Sequence, residues 1–328
     1  MRITVKDIAK YCGVSAGTVD RALNNRPGIK EATKKRILEA AKALHYRPDF
    51  TARSLVKGKS MTLGLVLFDL YNRSIAQLLN AVERRAKELG YYVYITLTNK
   101  NPVSEKECIE YLVNHKVDGI ILFTVNQGKD FEAYLHSLSI PIVTIFNYIS
   151  ESFQHFGINE REAMRMGVQY CLQKGYSSYI YICPPLRKAG LSNIYTQEER
   201  FRGFLDALES NNIKELHIIK EHDYISALDK WNIKKARTAI ICSCDYYALE
   251  VMNYLKSHQL EIPKDVGLMG FDCIDVLKYI QPTLTTIYYP VEPIGIKAVE
   301  CLVSKMGENL EYIESPNLEY FLVKGESI

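Results

Sequence analysis

From Thr62 onward the sequence alternates short apolar segments with amphipathic ones, and this rhythm restricts the fold more than any other feature. Four nearly continuous apolar segments come first, and they read TLGLVLF, YYVYITL, VDGIILF and IPIVTIF. Between them, residues 74–89, 104–114 and 129–138 have the pattern of amphipathic helices. Apolar strands that alternate with helices are typical of parallel strands buried on both faces, so this region predicts a doubly wound α/β lobe.

The same rhythm starts again after Asn159 and predicts a second lobe of similar construction. Its strands read SYIYI, LHIIK, TAIIC and VGLMGF, and its helices cover 161–174, 197–210 and 246–258. TTIYYP, a helix at 292–306 and a strand near 318–324 follow. We expect one lobe to comprise residues 61–159 with 291–317, and the other to comprise 160–290 with 318–328. Two such lobes in tandem form a cleft at the carboxyl ends of their strands, where small ligands bind in this class of sheet.

The stretch before residue 48 predicts three short helices around a small core. Thr4 and Asp7 have the spacing of a capping box at the start of the first helix. Gly13 can end that helix, and Ser15 can cap the second. Two helices with so little apolar surface need a third, which residues 31–44 supply. The apolar positions that this third helix should bury are Ile37, Leu38, Ala41 and Leu44.

Charge is divided unevenly along the chain. Residues 1–60 hold 14 Lys and Arg against 5 Asp and Glu, whereas the rest holds 27 against 33. This asymmetry predicts a basic module for a polyanion at residues 1–47, attached to a mildly acidic body. Residues 48–60 read as a linker in which Asp49 can cap a short helix, with Ala52 and Leu55 on one side. Such a segment can be disordered alone and helical on a partner.

Several classes of protein do not fit the sequence. The eight cysteines show no CxxC pair, and no apolar run approaches 18 residues, so we expect reduced thiols in a cytoplasmic protein without metal, cofactor or membrane span. Residues 13–17 match the G-x-S-x-G nucleophile elbow by letter. The elbow requires a strand before its serine, whereas Gly13 here follows a helix, so the match carries no hydrolase chemistry. No nucleophile, base and orienting group can be assembled from the sequence, so we expect no catalytic residues and no enzyme.

Taken in order, the motifs of this chain resemble the LacI/GalR family of bacterial transcription regulators over essentially the full length. The resemblance implies a homodimer whose helix-turn-helix heads bind double-stranded operator DNA. It also implies periplasmic-binding-protein-like cores that close on a small effector, often a sugar. The matching segments are TVKDIAKYCGVSAGTVDRALN, HYRPDFTARSL, VDGIIL, IPIV, ERFRGF, TAIICSCDYYAL, PKDVGLMGFD and PTLTTI.

For DNA, the resemblance implies base contacts from Ala16, Gly17 and Arg21, and Arg21 has the forked donor that reads guanine. Asp20 stands where the family usually has Ser, so its carboxylate either turns away from the phosphates or accepts from a cytosine amine. Leu55 matches the family's minor-groove wedge, with packing against the core as its alternative. The predicted DNA-binding residues are Thr4, Ser15, Ala16, Gly17, Thr18, Asp20, Arg21, Asn24, Ala52, Arg53 and Leu55.

For the effector, the resemblance implies that Arg200 and Asp272 hold ligand oxygens and that Tyr224 forms an aromatic wall. A cation, an acceptor and a flat apolar face together suit a polyhydroxylated ring. A salt-bridged Arg200 in the core is the structural alternative. The remaining positions match the family less well in their chemistry, and they are Ser74, Ile75, Phe146, Asn147 and Cys244.

Together these features predict a ligand-responsive transcriptional regulator, a repressor that binds a palindromic operator and takes a sugar or polyol as its effector. A regulator of the same fold that is controlled by a partner protein is one alternative, since its sequence would look nearly the same. A solute-binding protein is the other, but it would need an export signal where this chain has a basic head. Whether the effector releases or recruits DNA depends on which conformation it binds more tightly.

Overall fold

The computed structural model describes residues 3–47, 58–183, 192–231, 233, 236–307 and 318–328. Its contacts divide the chain into two compact units, Met1–Ser60 and Met61–Ile328.

The N-terminal unit contains helices α1 (Val5–Cys12), α2 (Ala16–Leu23) and α3 (Glu31–Ala43). The predicted capping box is confirmed, because the Thr4 amide donates to Asp7 at 2.8 Å and the Asp7 amide donates to the Thr4 hydroxyl at 3.3 Å. Gly13 ends α1 with φ of 61°, as predicted.

The core of this unit is formed by one face of each helix, centred on Ile8, Val19 and Ile37, which are fully buried. The prediction that Leu38 is buried is wrong, since 42% of it is exposed. Ala40 is buried in its place. Residues 37, 40, 41 and 44 follow the three- and four-residue spacing of one helix face, and residue 38 lies outside that stripe.

In the second unit, the first lobe is built on a five-stranded parallel sheet in the order β2-β1-β3-β4-β5. Its helices are α4 (Arg73–Glu88), α5 (Pro102–Asn114) and α6 (Lys129–Ser137). The predicted alternation of strands and helices is therefore confirmed. The prediction that every strand is buried on both faces is wrong for β2, an edge strand in which Tyr92 is 67% and Tyr94 is 48% exposed. The strands are β1 (Thr62–Leu67), β2 (Tyr92–Leu97), β3 (Gly119–Leu122), β4 (Ile142–Ile145) and β5 (Gln154–Phe156).

The second lobe repeats this plan with a four-stranded parallel sheet in the order β7-β6-β8-β9. Its strands are β6 (Ser178–Ile182), β7 (Leu216–Ile219), β8 (Thr238–Cys242) and β9 (Val266–Met269). Its helices are α7 (Glu160–Gln173), α8 (Tyr195–Glu209), α9 (Tyr224–Leu228) and α10 (Asp245–Ser257), followed by a 3-10 turn at Asp275–Tyr279.

Strand order reverses at the same place in both sheets, between β1 and β3 in one and between β6 and β8 in the other. The loops that leave neighbouring strands at such a point run in opposite directions and open a crevice for a ligand. Sheet order therefore locates the candidate site at the residues that follow β1, β3, β6 and β8.

The last elements of the chain are divided between the two lobes. Strand β10 (Thr286–Tyr288) pairs antiparallel with β11 (Phe321–Val323), and both contact α7 of the second lobe. Helix α11 (Val291–Lys305) packs on α4 and on strands β3 and β4 of the first lobe.

Helices α7 and α8 pack together very closely. A Cβ atom on Gly203 of α8 would overlap the carbonyl oxygen of Arg161 on α7. Only glycine lets the two backbones approach to this distance.

Candidate functional sites

Helix α2 presents an exposed surface of small residues and one cation. Ala16, Gly17 and Arg21 are all exposed, as an edge that reads DNA would require. Ser15 and Thr18, two other predicted DNA-binding residues, cap the start of α2. The Ser15 hydroxyl accepts from the Thr18 amide at 3.1 Å and lies 2.9 Å from the Thr18 hydroxyl. The reading surface is thus narrow.

Asp20 does not present an unpaired carboxylate on this surface. One of its oxygens accepts from the Asn24 side-chain amide at 2.8 Å, and the other accepts from Arg26 at 3.1 Å. The predicted residues Ala52, Arg53 and Leu55 lie outside the described residues, so their roles stay predictions.

The core carries a buried charge group centred on Arg200, which α8 positions under the ends of β8 and β9. Its Nε donates to Glu160 at 2.8 Å, and one terminal nitrogen donates to the Ser243 carbonyl at 2.7 Å and to Asp272 at 3.2 Å. The side chains of Arg200, Glu160 and Asp272 are each at most 5% exposed. Tyr289 donates to the second oxygen of Glu160 at 2.6 Å.

Burial decides the protonation behaviour of the two acids in this group. It raises the pKa of Asp272 to about 6, although the Arg200 guanidinium and Asn72 oppose the shift. Burial also raises the pKa of Glu160, against the attraction of Arg200. The two acids share one cation, so Arg200 is fully compensated within the protein. An anionic ligand would gain little from such an arginine, whereas neutral hydroxyls can bond to either partner.

The Arg200 guanidinium packs against two aromatic rings. Its central carbon lies 3.7 Å from the centre of the Phe271 ring and 5.1 Å from that of Tyr289. Phe146 continues this row from the first lobe, 5.5 Å from Tyr289 and 4.8 Å from Phe123. On the other face of the second sheet, Tyr224 and Tyr247 meet edge to face at 5.0 Å.

Two residues of the site have backbones that residues other than glycine rarely adopt. Phe146, directly after β4, has φ of 60°, and Asp272, shortly after β9, has φ of 114°. Such conformations persist only where surrounding contacts hold them, and they concentrate at binding and active sites. Both side chains are buried here, so surrounding contacts are present to hold these conformations.

Hydrogen bonds join the two lobes on both sides of the cleft. On one side, Asn72 donates to Asp272 at 3.3 Å, and Arg73 bonds Asp275. On the other, the Asn147 side-chain amide donates to the carbonyls of Thr124 and Asn193 at 2.9 and 2.8 Å. The Asn147 carbonyl oxygen accepts from the amide and hydroxyl of Thr196, both at 3.2 Å.

Four buried polar atoms of the second lobe have no hydrogen-bond partner among the residues that the structure describes. Tyr181 lies in β6 and Ser243 directly follows β8, and both are on the same side of the sheet because residue 181 pairs with 241 and alternate residues share a face. Buried polar groups are normally satisfied, so each such atom needs a water or a ligand. The four atoms are the hydroxyls of Tyr181, Tyr224 and Ser243 and the amide oxygen of Gln197.

The structure brings together most of the predicted effector residues, namely Phe146, Asn147, Arg200, Cys244 and Asp272, at the strand ends. Ser74 and Ile75 are buried at the start of α4, beside Asn72 and Arg73. Several residues of the site were not predicted from the sequence. Their partners lie far away in the chain, so no short motif with a fixed spacing marks them. These residues are Asn72, Glu160, Asn193, Thr196, Ser243 and Tyr289.

A three-helix head and a core with two like lobes and a polar cleft define the class of ligand-controlled helix-turn-helix regulators. Residues 4–49 match the model for bacterial regulatory proteins of the lacI family, and residues 168–328 match the periplasmic binding protein-like domain. The probable HTH-type transcriptional repressor ExuR of Bacillus subtilis is 30% identical over 319 residues, which are 93% of this chain and 92% of ExuR. The chain belongs to the LacI/GalR family of transcriptional regulators.

Solved structures show the same fold, in one case over the whole chain. The lac repressor dimer bound to operator and the anti-inducer ONPF has a TM-score of 0.85 at 21% identity, covering 100% of this chain and 99% of that one. A periplasmic binding protein/LacI transcriptional regulator from Alkaliphilus metalliredigens, complexed with D-xylulofuranose, has a TM-score of 0.69 at 26% identity. It covers 81% of this chain and 98% of that one.

The relatives are transcriptional regulators. As a member of this family, the chain is a transcriptional regulator as well. Among the described helices, none combines the length and apolarity needed to cross a membrane.

Proposed function

We propose that this regulator is a cytoplasmic repressor without enzymatic activity that binds a palindromic operator as a homodimer and takes a neutral sugar or polyol as its effector. The residues predicted above for DNA and for the effector are assigned to these two tasks. The lobes are proposed to divide at 159/160, 290/291 and 317/318. Operator half-sites would lie about 34–36 Å apart, so that both heads enter successive major grooves.

The observation that carries the effector assignment is the combination of paired charges and unpaired buried hydroxyls in the second lobe. Arg200 is neutralised by Glu160 and Asp272, while Tyr181, Tyr224 and Ser243 have hydroxyls without a partner among the described residues. A polyhydroxylated ring offers both donors and acceptors to such groups, and its C–H face can stack on an aromatic ring. The D-xylulofuranose complex of the Alkaliphilus relative supports a ligand of this chemical type.

The test combines DNA binding with calorimetry. Purified protein should footprint a palindrome near its own gene, and one member of a panel of neutral sugars and polyols should bind and change operator affinity. Asp272→Asn should lower the effector affinity at least about tenfold, because a buried acceptor of ligand hydroxyls becomes a donor. The control Asp130→Asn, at an exposed position of α6, should keep it. A persistent blank in the panel would contradict the effector assignment and favour control by a partner protein.

A further inference from the structure

The end of α2 folds Arg26 back along the helix. Asn25 has a left-handed backbone with φ of 53°, its amide donates to the Ala22 carbonyl at 3.4 Å, and the Arg26 amide donates to the Arg21 carbonyl at 2.9 Å. This pair of bonds is a Schellman motif, which fixes the position of the residue after the left-handed one. Lys34 of α3 also donates to the Asn25 side chain at 2.5 Å. Arg26 therefore leaves the helix at a defined point.

This fold-back places Arg26 against Asp20. The distance between the Arg26 terminal nitrogen and the Asp20 carboxylate is 3.1 Å, and the other carboxylate oxygen is held by Asn24 at 2.8 Å. The Asn24 side-chain amide also donates to the Asp20 main-chain carbonyl at 3.0 Å, which fixes this amide beside the carboxylate. Both members of the pair remain accessible, with 56% of the Arg26 side chain and 46% of the Asp20 side chain exposed.

Asp20 is adjacent to Arg21 on the helix that faces DNA, where an unpaired carboxylate would repel the phosphates. Pairing with Arg26 removes this repulsion. A guanidinium has five N–H donors, and Arg26 uses only one terminal nitrogen to bond Asp20. Its other N–H groups can bond a phosphate oxygen at the same time. Arg–phosphate contacts of this kind fix a protein's register on the duplex.

We infer that Arg26 is a phosphate-binding residue and that Asp20 is the positioning residue that holds it at the end of the reading helix. This inference rests on the proposed DNA binding and assigns a residue beyond the predicted set. It also gives Asp20 a role that needs no contact with a base.

The test is a double-mutant cycle on the full-length protein, with a fluorescein-labelled duplex of randomised sequence as the probe. Arg26→Gln should weaken binding about tenfold at low salt and reduce the slope of log affinity against log salt by about one. Asp20→Asn should strengthen binding at least about threefold more in the Arg26→Gln background than in the wild type, because only there does the carboxylate lack a neutralising cation.

Two outcomes would overturn the inference. One is an equal effect of Asp20→Asn in both backgrounds, which means independent charges. The other is an unchanged salt slope in Arg26→Gln, which means that Arg26 has only a structural role. Lys42→Gln and Glu39→Gln make the same charge changes at exposed positions of α3 and should show no coupling. If the wild type itself shows no salt-dependent binding, the proposed DNA binding has failed and the pair has no role in it.

Discussion

Arg73 donates two hydrogen bonds to Asp275, each 2.8 Å long, and so joins the two lobes across 202 positions of sequence. The preceding residue, Asn72, bonds Asp272 of the buried charge group. The start of α4 therefore contacts two acids of the second lobe at once. Opening the cleft on this side must break both contacts, which couples the exposed ion pair to the buried site.

We expect that breaking the Arg73–Asp275 pair loosens the cleft. In Arg73→Asp, the backbone amides of residues 68–75 and 270–276 should exchange hydrogen faster, because two like charges then face each other. Adding Asp275→Arg should restore slow exchange. Arg161 and Asp206 form a similar pair within the second lobe and serve as the control, since Arg161→Asp should leave the interlobe amides unchanged. Equal exchange in all these proteins would argue against a closing role.

Glu105 should be essential for the loop that follows β3. Its buried carboxylate accepts from the backbone amides of Val125 and Asn126, at 3.1 and 2.8 Å, and from the Asn126 side chain. Glu105→Gln turns one acceptor into a donor that faces these N–H groups. The free energy of unfolding in urea should fall by about 1–3 kcal/mol. Glu107→Gln, at an exposed position of the same helix, should change little, and equal losses in both would contradict the explanation.

Asp272 should make stability fall as the pH rises. Because burial raises its pKa to about 6 from an unfolded value of 3.8, the folded protein holds a proton that the unfolded chain releases in this interval. The contribution is fully present below about pH 4 and is lost as the pH rises to about 6.

Urea denaturation at several pH values measures the free energy of unfolding of the wild type and of Asp272→Asn. The quantity of interest is the wild-type value minus the value for Asp272→Asn. This difference should decrease by up to about 1.4 kcal/mol per pH unit within the interval. A difference that grows with pH would mean that Arg200 dominates over burial.

Gly17 should accept a side chain without strain. A Cβ atom there would meet only the Ser15 hydroxyl oxygen at 3.8 Å, and its φ is not positive. Gly17→Ala should therefore stabilise the N-terminal unit by about 0.5–1 kcal/mol in thermal unfolding. DNA affinity should nevertheless fall, because the methyl group occupies space that the backbone uses to approach base edges. Ala43→Gly on α3 is the control, since it makes the opposite change away from the DNA-reading surface. Higher DNA affinity in Gly17→Ala would contradict a role of Gly17 in close approach to the bases.

The regular elements were predictable where an apolar pattern runs through the whole element. The helix expected at 74–89 is Arg73–Glu88, and the strand TLGLVLF is Thr62–Leu67. Strand β5 (Gln154–Phe156) was missed because it is a three-residue edge strand with two polar members. A pattern this short carries no period to detect.

The site was predictable only as a set of positions. Arg200 and Asp272 could be named from their motifs, but their bond to each other, 72 positions apart, could not. Glu160, which compensates the rest of the Arg200 charge, opens α7 and looks like an ordinary acid in a first helical turn. The left-handed backbones of Phe146 and Asp272 also have no sequence signal, since neither is glycine.

The absent side chain at Gly203 has a mechanical consequence. Since α8 packs directly on the α7 backbone at Gly203, its first turns belong to a helix that is held close against α7. Thr196 and Arg200 sit on those turns and meet the first lobe and the buried acids. A side chain at position 203 would force the two helices apart, and so would displace Thr196 and Arg200 from their partners at the cleft.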